Sequence, residues 1–228
     1  MDAAKAELLR ALGRLVRGLS TLFWALPVAL VIYVETARAN WLGFLGDAAF
    51  VPAMLAAAAL YYALRQLRDF QKQERIWHQA LNRAELLAIV NAGLAPFLFW
   101  WHRFPAVRFY VICVTLFAFS LLLFLMQLNQ VLRRLCAMLP DENLRVETKM
   151  FTAFNIALLT AAFAGLAAYL GLAQAQALPR ALGRIITGDN PRGLWLLLFL
   201  CLLPLALTLA LLWKIKEVIF ASIFAAEP

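Results

Sequence analysis

Two histidines, three cysteines and 13 carboxylates are the groups in this chain that could serve as base, nucleophile or metal ligand. Their spacing assembles no such centre. His78 and His102 fall at opposite ends of one apolar run, so they cannot meet at a metal ion or on the two faces of a haem. Cys113, Cys136 and Cys201 lie within or beside apolar runs without a CxxC spacing, which marks them as packing residues. No HExxH, GxSxG, phosphate-loop or dinucleotide pattern occurs. No metal and no cofactor are expected. Asp141, Glu142 or His78 could serve an enzyme acting on lipids at a membrane surface, but they are ordinary turn and interface residues.

What remains is uncharged polarity at a common depth. Asn91 lies six residues beyond Glu85 and Asn155 six beyond Lys149, while Gln127 lies six before Arg133 and Thr208 six before Lys214. At 1.5 Å per helical residue each sits about 9 Å inside a charged boundary. Asn129 and Gln130 come nearer that boundary. A carboxamide in hydrocarbon needs a partner, so Asn91, Gln127, Asn155 and Thr208 are expected to point inward and meet. They would then be structural glue, at roughly 0.6–2 kcal/mol per contact, or the lining of a polar cavity. At the opposite boundary stand Glu35, Arg38 and Asp47, expected as an ion pair or headgroup contacts, with a cation-attracting mouth as the sharper alternative. No carboxylate lies near mid-span, which argues against a proton- or sodium-coupled transporter.

The elements that must position these groups follow from composition. Of 228 residues, 64% are hydrophobic and 15% charged, and the mean hydropathy is +0.79. A soluble domain carries about 25% charged residues, so too little polar surface is present for a water-exposed globule. Six apolar runs mark spans near 19–34, 48–64, 86–101, 109–132, 151–172 and 193–213. None alternates with period two, and lipid accepts only helices or closed barrels. The expected fold is an all-α integral membrane protein, one domain of six transmembrane helices with short amphipathic interfacial helices.

Orientation comes from the basic residues. Fifteen of the 21 Lys and Arg fall in the N-terminal segment, the C-terminal segment and the connections after spans two and four. The alternation keeps phase with six spans, so the positive-inside rule places both termini in the cytoplasm. The net charge of +8 sits in short clusters at span ends. That pattern indicates anionic lipid headgroups as partners and argues against nucleic acid. Trp41, Trp100, Trp101 and Trp195 fall at the outer boundary and Trp77 and Trp213 at the inner one, as an aromatic belt requires. Arg-over-Lys usage and alanine richness suit a bacterial inner membrane. Ala37-Arg38-Ala39 resembles a signal-peptide cleavage site, but the arginine and the long basic segment before it favour an uncleaved first helix.

Residues 1–18 have helical amphipathic spacing and are expected to lie on the inner surface before turning into span one. Leu67, Phe70, Trp77 and Leu81 suggest an extension of the second helix followed by a second surface helix. Leu178, Leu182, Ile185 and Ile186 suggest an outer interfacial helix, ended at Gly188-Asp189-Asn190-Pro191. Pro140-Asp141-Glu142-Asn143 reads as an inner turn. A repeat of three hairpins is conceivable, but positive-inside selection alone makes inner ends look alike. Two small-residue faces, Ala49–Ala53–Ala57 and Ala157–Ala161–Gly165, could serve packing within the chain or a homo-oligomer or partner subunit.

Function is therefore expected to be non-enzymatic. One reading is a channel or uncoupled-transport subunit using the polar layer. A second is a scaffold or accessory subunit of a larger membrane complex, and the lipid-acting enzyme is the weakest of the three.

Overall fold

Long unbroken apolar runs at 3.6-residue spacing leave helix as the conformation that satisfies the backbone internally, and helix is what forms. The computed structural model describes residues 3–38, 41–70, 74–139, 142–174 and 191–224, with backbone alone for 3–9, 41–43, 143, 144, 173, 174, 191–201 and 221–224. Seven α-helices occur among them: α1 (Ala3–Arg38), α2 (Val51–Leu67), α3 (Arg75–Leu94), α4 (Pro96–Arg103), α5 (Arg108–Met138), α6 (Glu142–Gln174) and α7 (Pro191–Phe224). A short 3-10 segment, Trp41–Ala48, links α1 to α2. It turns at Gly46, whose φ of 55° is open to glycine at no steric cost. No strand occurs among the described residues.

Five stretches are long and apolar enough to cross a membrane: Arg10–Arg38, Phe44–Leu67, Arg75–Arg103, Arg108–Met138 and Arg145–Leu172. The sixth apolar run lies in α7, a helix of 34 residues whose side chains before Leu202 fall outside the described residues. The expected outer interfacial helix, its Gly188–Pro191 turn, and the side chains of Trp41, Trp195 and Cys201 also fall outside them.

Around the bundle α1 packs on α2, α2 on α3, α3 on α5, α5 on α6, α6 on α7 and α7 back on α1, so the six long helices close a ring. Leu22, Leu60, Leu81, Phe124, Leu128 and Leu212 are among the buried residues of its core. The short α4 packs on α1 and α5, and the Tyr33 and Phe117 rings of α1 and α5 meet edge to face with centroids 5.0 Å apart. Ion pairs define one basic end, where Arg14 meets Asp69, Arg68 meets Glu85 and Lys214 meets Glu147. The opposite end carries Arg103–Asp47.

Three expectations require correction. The turn between a surface segment and span one does not occur: α1 runs unbroken from Ala3 to Arg38. Leu15, Leu19, Leu22, Leu26, Ala29 and Tyr33 form one buried stripe at alternating three- and four-residue steps across that boundary. Such a seam holds a helix straight against its neighbour. Leu67, Phe70, Trp77 and Leu81 do not lie on a surface; all four are buried in the core, and Phe70 meets Trp77 edge to face at 6.4 Å. Trp77 is thus no belt residue. Pro96 splits the third run, because it has no N–H for the Ala92 carbonyl, and α3 gives way to α4 at Ala95.

The two small-residue faces differ. Ala53 and Ala57 are buried on a face of α2 that includes Ala56 and Ala63, and Ala49 is buried in the turn before that helix. Ala157, Ala161 and Gly165 are exposed, and nothing lies within 4 Å of where a Gly165 Cβ would stand. A close approach joins α1 to α2 at Gly18, where a Cβ would meet the Ala63 carbonyl oxygen and Leu67 Cδ2 at 3.0 Å. Gly18→Leu is therefore expected to force the two helices apart. The cost should be about 1–3 kcal/mol, the usual range for overpacking, read as a lower thermal unfolding midpoint in detergent. Gly165→Ala, by contrast, should match or exceed the parent midpoint.

Candidate functional site

Heptad spacing sets a place where three long helices share polar side chains. Asn129 and Cys136 lie seven residues apart on α5, as do Thr148 and Asn155 on α6, so each pair shares a helix face. These faces meet. Thr148 Oγ1 donates to Cys136 Sγ at 3.3 Å, and Asn155 Nδ2 donates to Asn129 Oδ1 at 3.0 Å. From α7, Thr208 completes a triad: its Oγ1 accepts from Asn129 Nδ2 at 3.0 Å and from Asn155 Nδ2 at 2.9 Å.

The hydrogen-bond accounting is nearly closed. A threonine hydroxyl has one proton and two acceptor sites. Thr208 gives its proton to the Pro204 carbonyl at 2.8 Å and fills both acceptor sites with the two carboxamides. Asn129 Nδ2 also donates to the Leu125 carbonyl at 2.9 Å, and Asn155 Nδ2 reaches the Pro204 carbonyl at 3.1 Å. Asn155 Oδ1 alone in the triad has no partner. All three side chains are buried. The arrangement holds helices together; it contains no acid, base or nucleophile.

Of the four residues placed at a common depth, the structure brings Asn155 and Thr208 together and adds Asn129. Asn91 and Gln127 stand apart from the triad. Asn91, on α3, is 1% exposed and neither its amide nitrogen nor its carbonyl oxygen has a partner. Gln127 Oε1 is likewise buried and unpartnered. Depth along a helix sets rise but not direction. Residues 127 and 129 of one helix point about 200° apart at 100° per residue, so only one of them can face α6 and α7. The seven-residue spacing of Asn129 and Cys136 carried the signal that selects Asn129.

At the opposite end Asp47 pairs with Arg103 at 2.6 Å, both exposed, instead of with Arg38. Glu35 and Arg38 form no ion pair among the described residues. Near them His102 Nδ1 lies 3.2 Å from the Ala37 carbonyl. No group of three or more His, Cys, Asp or Glu side chains is placed to hold a metal ion among the described residues.

Sequence reasoning used Glu85 as a boundary marker and nothing more. It is in fact a buried carboxylate: one oxygen accepts from Arg68 Nη1 at 3.2 Å and the other has no partner. Its position on the buried α3 face that runs Trp77, Leu81, Ala84, Ala88 and Asn91 was the available signal. Sequence reasoning also passed over a cavity of about 280 Å³ lined by Gln130, Arg133, Arg134 and Ile156, at the basic end between α5 and α6. None of the triad, nor Asn91 or Gln127, lines it.

Comparison with protein-family models, with curated proteins and with solved structures finds no match for this chain. The geometry alone carries the functional argument.

The triad makes a quantitative expectation. Asn155→Ala removes an amide whose two protons are shared among three acceptors and should lower stability by about 1–2 kcal/mol, and a double-mutant cycle with Thr208→Val should return a coupling of about 0.6–1.7 kcal/mol. Asn91→Leu should be neutral or stabilising, since replacing an unpartnered buried carboxamide by an apolar group of similar volume removes a desolvation cost. Denaturation in detergent checks both.

Proposed function

We propose that this chain is a non-enzymatic multi-pass protein of a bacterial inner membrane, with six spans and both termini in the cytoplasm. In that membrane it acts as a scaffold or accessory subunit of a larger assembly. Embedding is supported by five helices of spanning length and by the large apolar side chains they leave uncovered, among them Trp24, Leu55, Leu86, Phe109 and Ile112. Contiguous apolar surface on this scale has no place in water. Orientation follows from the basic end, which the positive-inside rule assigns to the cytoplasm.

The observation that carries the scaffold reading is the face of α6. Its apolar window is 11% buried, against 22–33% for the other four spans. Ala153, Ala157, Ala161, Ala164, Gly165 and Ala168 are all exposed on it. Small residues allow two backbones to approach closely, so such a face suits a neighbouring transmembrane helix from a second copy or a partner subunit. The polar triad agrees: it is buried and mutually bonded, as glue between helices is, and stands apart from the cleft at Gln130, Arg133, Arg134 and Ile156. Ala161→Leu with Gly165→Leu should leave the unfolding midpoint unchanged and abolish association, seen by cross-linking in native membranes. Association that survives the double substitution, or purification of the parent as a lone stable monomer, rejects this reading.

A channel or uncoupled-transport subunit is the second reading, favoured by the unpartnered amide of Asn91 and the unpartnered carbonyl oxygen of Gln127. Buried polar atoms without partners are the groups a water-filled path would solvate. With cysteine at each position, a water-soluble maleimide added from the cytoplasmic side should react at both; protection at both eliminates the path.

A further inference from the structure

We propose that the α5–α6 seam at the basic end binds an anionic phospholipid, its phosphate held by Arg133, Arg134 and Gln130 and its glycerol edge resting on Ile156. The inference rests on the membrane reading above and gives it a ligand of defined chemistry. The four residues border a half-open cleft of about 280 Å³, just below the roughly 300–1,000 Å³ of sites that take whole small molecules. That volume suits a headgroup.

Spacing creates the site. Gln130, Arg133 and Arg134 stand at i, i+3 and i+4 on α5, so their side chains share one patch of helix surface. Ile156 closes it from α6. A guanidinium donates two parallel N–H groups to phosphate oxygens, and the Gln130 carboxamide can add a third donor.

Charge selects the lipid. Arg14, Arg68 and Lys214 at this end all face an acidic partner. Arg133 and Arg134 form no ion pair among the described residues, and no Asp or Glu lines the cavity. The ammonium of a zwitterionic headgroup would find no carboxylate there, whereas a lipid of net negative charge leaves both arginines compensated. Basic pockets between membrane helices on the cytoplasmic side suit such headgroups.

Apolar surface distinguishes a lipid from a free anion. Farther along the same seam, Phe119 of α5 and Phe163 of α6 are in ring contact at 4.7 Å. Ile156 and Phe163 lie seven residues apart and so share the α6 face of the seam, along which an acyl chain would run from the cleft to this ring pair. Inorganic phosphate could use the arginines but gains nothing from these walls.

The full chain, purified in detergent, is titrated with phosphatidylglycerol, phosphatidylcholine or inorganic phosphate, and bound ligand is counted by native mass spectrometry. Phosphatidylglycerol should be retained in preference to phosphatidylcholine. In Arg133→Gln/Arg134→Gln that preference should fall by about thirtyfold, at roughly fivefold per arginine near an anionic group. Arg75→Gln/Arg83→Gln removes the same charge from exposed positions on α3 and should leave the preference intact. A preference unchanged in the first variant, or reduced equally in the second, overturns the site. Inorganic phosphate that displaces phosphatidylglycerol at comparable concentration overturns the lipid as occupant. Flotation with vesicles of pure phosphatidylcholine keeps the two levels separate: every variant should float, and failure of the parent to float rejects the membrane reading itself.

Discussion

One hydroxyl organises half of this bundle. Thr208 Oγ1 accepts from a carboxamide on α5 and another on α6 while donating to a carbonyl of its own helix. In water these bonds would exchange with solvent at little net gain; away from water each group left unbonded costs about 1–3 kcal/mol. The three helices are therefore tied at a single point, and displacing any one of them orphans groups on the other two. Proline contributes. Pro204 interrupts the helical ladder of α7, and its own carbonyl receives both Thr208 and Asn155. The remaining helices are joined differently. α1 and α2 meet through leucine, alanine and the cleft at Gly18, where close backbone approach replaces polar contact.

Ion pairs at the basic end connect neighbours around the ring: Arg14 and Asp69 join α1 to the segment after α2, Arg68 and Glu85 join that segment to α3, and Lys214 and Glu147 join α7 to α6. Exposed pairs of this kind contribute about 0.2–1 kcal/mol, too little to hold the bundle but enough to favour one register. Arg68–Glu85 differs because its carboxylate is buried. Loss of Arg68 would strand a charge in the core, and that is costly out of proportion to what the pair contributes when intact.

Much of the architecture was legible in the sequence for a simple reason: apolar runs of spanning length permit one backbone conformation. Helices cover all six runs. What the sequence obscured was direction around each helix. Depth counting selected Gln127, whereas packing selected Asn129, two residues and about 200° away. The same gap explains Trp77. An amphipathic ring at a span end reads as an interfacial anchor, and only its place on the buried face of α3 reveals it as core. Leu15 and Leu19 belonged to separate elements when judged by charge, and to one stripe when judged by spacing. Spacing decided. The α5–α6 cavity was invisible for a further reason, because its fourth wall, Ile156, comes from a different helix from the other three residues.

Buried polar atoms without partners occur on both sides of the bundle, Ser120 Oγ and Gln127 Oε1 on α5 and Thr152 Oγ1 and Asn155 Oδ1 on α6 among them. Trp77 Nε1, one oxygen of Glu85, and both amide atoms of Asn91 all belong to α3 and all lack partners. Within the Asn129–Asn155–Thr208 triad every such atom but Asn155 Oδ1 is bonded. α3 also carries the break in its run: Pro96 follows Asn91 by little more than one turn, and Gly93 between them has nothing within 4 Å of its Cβ position. A helix whose polar groups are unpaid on one face, with a proline to swing on, loses few hydrogen bonds by shifting. A helix tied through Thr208 loses several. The Asn129–Asn155–Thr208 triad is therefore a point of fixed register between α5, α6 and α7, and Asn91 gives α3 no such tie.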